Sequence, residues 1–135
     1  MQNEDLWDFE ALPLPETKSP AEILKEQAGA FNTKMSGSAI FAEVNSLKTL
    51  EQNRLSFALD LVVPALGDYK LRVVRCSFRL SSNYPVKVYS DFGDAGAGLG
   101  VPEVTEEEFS ECLRSTFVDP KLRSSIASLV ANARI

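Results

Sequence analysis

The stretch RLSFALDLVVPALGDYKLRVVRCSFRL, residues 54–80, decides the fold. In its first ten residues Leu55, Phe57, Leu59, Leu61 and Val63 share one phase, and Arg54, Ser56 and Asp60 hold the other. A period of two is that of a strand with one face buried. Pro64-Ala65-Leu66-Gly67-Asp68 is a turn composition, so the chain reverses there. In the returning run, residues 69–80, Leu71 and Val73 share a phase while Val74, Cys76, Phe78 and Leu80 hold the opposite one. A phase slip at Val73-Val74 is the mark of a β-bulge, or of a strand buried on both faces.

The slip matters for charge as well as for packing. Plain alternation puts Lys70 and Arg72 on one face and Arg75 and Arg79 on the other. A bulge realigns all four, and the open face of the sheet becomes a basic stripe that Lys87 and Tyr89 extend.

Outward from this hairpin, the signals are those of a meander flanked by helices. Residues 38–47 read as a less regular strand before it. Ser81-Ser82-Asn83 reads as a turn after it, followed by a short strand with Tyr84, Val86 and Val88, where Pro85 suggests a sheet edge. Ser19-Pro20-Ala21-Glu22 opens a helix whose Leu24, Ala28, Phe31 and Met35 lie on one face and which Ser36-Gly37 ends. Thr105 with Glu106, Glu107 and Glu108 forms a second capping box, leading Phe109, Cys112, Leu113 and Phe117. Asp119-Pro120 starts a third helix, with Leu122, Ile126, Leu129, Val130 and Ala133 on one face. The expected fold is α+β: a four-stranded antiparallel meander with helices on one face, in the order α-β-β-β-β-α-α. A single domain over residues 19–135 is expected to follow an N-terminal arm, residues 1–18.

That arm is acidic and aromatic. Residues 1–16 carry five acids and no base, interleaved with Leu6, Trp7, Phe9, Leu12 and Leu14, and Pro13 and Pro15 block a helix. Trp7 and Phe9 carry too much apolar area for a solvated tail, so they dock on this domain or on a partner. The charge is uneven along the rest of the chain. Residues 54–90 are net +4, 91–111 net −7 and 112–135 net +3, within a total of −5. A polarised surface follows, unless these charges only solvate loops and helix faces.

Composition narrows the chemistry. The 135-residue chain has no histidine, which removes the commonest general base, the commonest metal ligand and every Ser-His or Cys-His pair. Cys76 and Cys112 lack any CxxC or zinc spacing and sit in apolar patterns, so both read as buried, reduced thiols. Gly93, Gly96, Gly98 and Gly100 lack the Gly-Lys-Ser/Thr of a P-loop and a helix directly behind them, so no nucleotide cofactor is expected. Glu106, Glu107, Glu108 and Glu111 match no EF-hand pattern, and no metal is expected. No RNA-binding motif is present and the chain is acidic, so nucleic acid is not the expected partner. No apolar run is long enough to span a membrane and no signal peptide is visible, which makes the cytoplasm the expected compartment.

These observations point to a non-enzymatic module that binds a protein partner through the sheet, the arm or both. Trp7, Phe9 and Leu12 are its expected apolar anchors, and Arg72, Arg75 and Arg79 its electrostatic contacts. An adaptor, a chaperone or an immunity-like protein fits this size and charge, an analogy without a residue-level motif. One alternative is a small-molecule binder or carboxylate enzyme with a pocket on the sheet. Another is a structural homo-oligomer, the simplest form being a homodimer, in which one subunit's arm docks on the next.

Overall fold

The computed structural model describes residues 18–47, 53–93 and 101–134. Its elements are α1 (Pro20–Lys34), β1 (Phe41–Ser46), β2 (Arg54–Val63), β3 (Tyr69–Arg79), β4 (Ser82–Tyr89), β5 (Glu103–Val104), α2 (Glu106–Phe117) and α3 (Pro120–Ala133). The sheet is an antiparallel meander in the order β1-β2-β3-β4-β5. It has five strands where four were expected. The addition is the two-residue β5, in which Val104 faces Val86 and Glu103 faces Lys87. A pair this short leaves no periodic trace in sequence.

The helix starts follow from their capping residues. Ser19 Oγ accepts from the Glu22 amide, and Asp119 Oδ1 accepts from the Lys121 amide. Thr105 and Glu108 complete a reciprocal capping box, each side chain bonded to the other's backbone N–H. One strand boundary differs from expectation. Ser82 and Asn83 already belong to β4, so the turn is tighter and centres on Leu80 and Ser81. Pro85 lies where the β3–β4 register breaks, between the Phe78–Val86 and Arg79–Ser82 pairs, and just before the two residues of β4 that β5 covers, so its outer side is an edge among the described strands. The irregularity removes the demand for a ladder donor that proline cannot meet.

The helices share one side of the sheet. Leu24 and Ala28 of α1, Phe109 and Leu113 of α2 and Leu122 of α3 bury against Leu59, Leu61, Val63, Val74, Cys76, Val86 and Val88. Complete burial of a side chain such as Leu24 or Phe109 stabilises the fold by about 1.5–3 kcal/mol each. No described helix is long and apolar enough to cross a membrane.

The slip at Val73-Val74 is a β-bulge. Leu59 faces Val74 and Asp60 faces Arg72, so Val73 is the extra residue, and both valines lie in the core. A bulge takes its carbonyl out of the ladder, and here the buried Ser90 hydroxyl donates to Val73 O at 2.6 Å. The outer edge of β1 is also protected. Asn32 Oδ1 accepts from the Ala42 amide at 2.6 Å while its Nδ2 donates to the Ala42 carbonyl at 2.9 Å. One α1 side chain thus mimics the strand that would otherwise pair there.

Gly93, the first glycine of the 91–104 loop, has φ +68° and presses against the end of α2. A Cβ there would stand 2.6 Å from Thr116 N. Its amide donates to Asp119 Oδ2 at 2.6 Å, tying the loop to the cap of α3. Gly93 therefore serves close packing of the loop against α2.

Candidate functional site: the open face of the sheet

The bulge fixes which side chains share the face away from the helices. From β1 to β5 these are Phe41, Glu43 and Asn45; Arg54, Ser56, Ala58, Asp60 and Val62; Lys70, Arg72, Arg75, Ser77 and Arg79; Lys87 and Tyr89; and Glu103. Without the extra residue at Val73, Arg75 and Arg79 would point into the helix layer. The realignment brings Arg72, Arg75 and Arg79 onto one face, as the bulge reading expected. Arg75 pairs across with Tyr89 and Ser77 with Lys87, so the stripe continues onto β4.

The bases are not equivalent. Arg72 Nε donates to Asp60 Oδ1 at 3.1 Å, and Asp60 is only 2% exposed. Asn45 Nδ2 donates to both Asp60 Oδ2 at 2.9 Å and Glu43 Oε1 at 3.0 Å. Lys70 completes the cluster by pairing with Glu43 at 3.0 Å. The Asn45 amide, followed by Lys70, holds the Glu43 carboxyl below its ordinary range, and Glu43 in turn raises the Lys70 ammonium. Arg54 is equally committed, to Ser77 through Nε and Nη2 and to Glu103 at 3.0 Å.

Arg75, Arg79 and Lys87 form no ion pair with a described residue. The Arg75 guanidinium lies over the Tyr89 ring, 4.1 Å from its centroid, a cation–π contact that holds the charge in place without neutralising it. Arg79 is exposed and Lys87 half-buried. Of the three arginines expected to contact a partner, Arg72 is thus in an ion pair within the fold, and Arg75 and Arg79 have no described acidic partner. Lys87 and Tyr89 join them. The earlier anchors Trp7, Phe9 and Leu12 lie outside the described residues.

The remaining chemistry is quiet. Burial pushes the Cys76 thiol up to about 12, which keeps it protonated and non-nucleophilic at neutral pH. Cys112 is half-buried rather than fully buried, and no disulfide joins it to Cys76. Tyr84 is likewise raised to about 12, chiefly by burial, and its hydroxyl donates to the Lys18 carbonyl at 2.9 Å. No group of three or more potential metal ligands converges among the described residues.

A second concavity lies in the helix layer, between α1 and α3. It has a volume of about 400 Å³, a floor of Leu59, Leu61 and Val73, and walls that include Phe31, Met35, Phe117 and Ile126. Its polar lining residues are Gln27, Lys34 and Arg123, with no carboxylate among them. No family model, curated protein or solved structure matches the chain.

Proposed function

We propose that the chain is a non-enzymatic interaction module whose open sheet face binds an acidic segment of a partner protein. The observation that carries this reading is the placement of Arg75, Arg79 and Lys87. They lie on one face that no described helix covers, without described acidic partners, beside a Tyr89 ring already engaged by Arg75. Arg75, held over the Tyr89 ring, loses less entropy on binding than a flexible side chain would, which favours affinity. The acids on the same face, Glu43, Asp60 and Glu103, sit in internal pairs and so repel an incoming carboxylate less than free ones would.

Affinity capture with the full chain, beside the Arg75→Glu/Arg79→Glu variant, tests the reading. An acidic protein should be retained at low salt, released as salt rises, and lost with the double variant. A partner retained equally by both chains would place the contact elsewhere.

A further inference from the structure

The groove between α1 and α3 is incompletely filled by the elements around it. On α3 only Leu122 is buried, while Ile126, Leu129, Val130 and Ala133 of the same face stay half-covered. Across the gap, Phe31 of α1 and Met35, which caps its C-terminus, are half-covered as well. An amphipathic helix gains most of its stability by burying its apolar stripe, so this face calls for a cover.

We propose that residues 1–17 of the same chain supply it, with Trp7 and Phe9 seated in the groove and Asp8 and Glu10 facing Lys34 and Arg123 at its rim. Three observations converge on this occupant. In an extended segment alternate side chains point to opposite sides, so with Trp7 and Phe9 turned into the groove Asp8 and Glu10 lie outward, where only the long, exposed Lys34 and Arg123 side chains of the rim can reach up to them. The groove has the matching pattern: an apolar floor and walls, with Lys34 and Arg123 as the only charged lining residues among those described, neither paired with a described carboxylate. Its volume, about 400 Å³, lies in the range that accepts bulky aromatic groups.

The chain also reaches. Lys18 sits at the start of α1, and the groove opens along Gln27–Met35 of the same helix. The distance along the helix axis from Pro20 to Lys34 is about 21 Å, whereas the eleven residues back to Trp7 extend to about 36–40 Å. The open sheet face offers the same charge complementarity but no comparable apolar cavity, so the two aromatics favour the groove. This docking lies in the helix layer and is independent of the partner reading above.

Trp7 is the single tryptophan of the chain, so intrinsic fluorescence reports on it alone. The full chain should show a blue-shifted emission maximum and acrylamide quenching several-fold weaker than a water-exposed tryptophan, unchanged on dilution and with light scattering of a monomer. The Ile126→Asp variant should shift emission toward that of exposed tryptophan and restore quenching, with far-UV circular dichroism verifying that it folds. The exposed pair Lys34→Glu/Arg123→Glu, which leaves the core untouched, should move both signals the same way and decides the matter if Ile126→Asp does not fold. Water-like emission from the unaltered chain would overturn the proposal. So would a buried Trp7 indifferent to the groove variants that fold, which would place the arm elsewhere. A blue shift that appears only as the chain dimerises would assign the groove to a second copy's arm instead.

Discussion

The two faces of this one sheet are built on different principles. On the helix side, Leu59, Val74, Cys76 and Val86 are closed off by apolar side chains of α1 and α2, and burial itself supplies the stabilisation. On the other side, Ala58 and Val62 are also buried, at 0% and 4% exposure, yet no described helix lies over them. Their neighbours are charged and form pairs: Lys70 with Glu43, Arg72 with Asp60, Arg54 with Glu103. The apolar face specifies the fold. The charged face is left as a surface on which Arg75, Arg79 and Lys87 have no ion pair with a described residue. One inserted residue, Val73, connects the two, because it keeps the apolar set inward while turning Arg75 and Arg79 to the side that Lys70 and Arg72 already occupy.

The strongest way to break this contrast is through the covered face. Phe109→Ala removes a fully buried ring and should cost about 3–5 kcal/mol, read as a lower denaturant midpoint. The joint between the faces comes next. Ser90→Ala strands the Val73 carbonyl in the interior and should cost about 1–3 kcal/mol, with faster amide exchange around the bulge. Substitution on the open face should do far less to the fold. Arg79→Glu with Lys87→Gln should change stability by no more than about 0.5 kcal/mol each while abolishing capture of the acidic partner.

Acid titration sharpens the contrast in a subtler way. Because Glu43 is held below its ordinary value in the folded chain, the unfolded state takes up its proton first as pH falls. Its contribution to stability is therefore complete above the usual glutamate range, about pH 4.3, and is lost as pH drops through the depressed value. Glu43→Gln should flatten that part of the pH–stability curve without changing its neutral limb shape.

Much of the architecture could be read directly from residue patterns. The alternation of 54–63 and the slip at Val73-Val74 carry the hairpin and its bulge, and the Ser19, Thr105 and Asp119 caps carry the helix starts. These are local signals, set by backbone geometry within a few residues. What escaped reading depends on contacts between distant segments. Ser90 on Val73 and Asn32 on Ala42 are ordinary polar residues until the fold brings each to an unpaired backbone group. The fate of Arg72 depends on register, since a shift of one residue decides whether Asp60 or a neighbour stands opposite it. No spacing in the sequence separates that committed arginine from Arg75 and Arg79. Glu103 likewise sits in a loop composition, and only its pairing with Lys87 across β4–β5 shows it as part of the site.

The most direct test of the recognition claim compares methyl groups on the two faces. Ala58 and Val62 report on the open face, and Leu122 and Ile126 on the helix layer. With the captured acidic partner added to the full, methyl-labelled chain, the account predicts NMR shift changes concentrated at Ala58 and Val62, with Leu122 and Ile126 silent. Perturbation of Leu122 and Ile126 with a silent open face would contradict it.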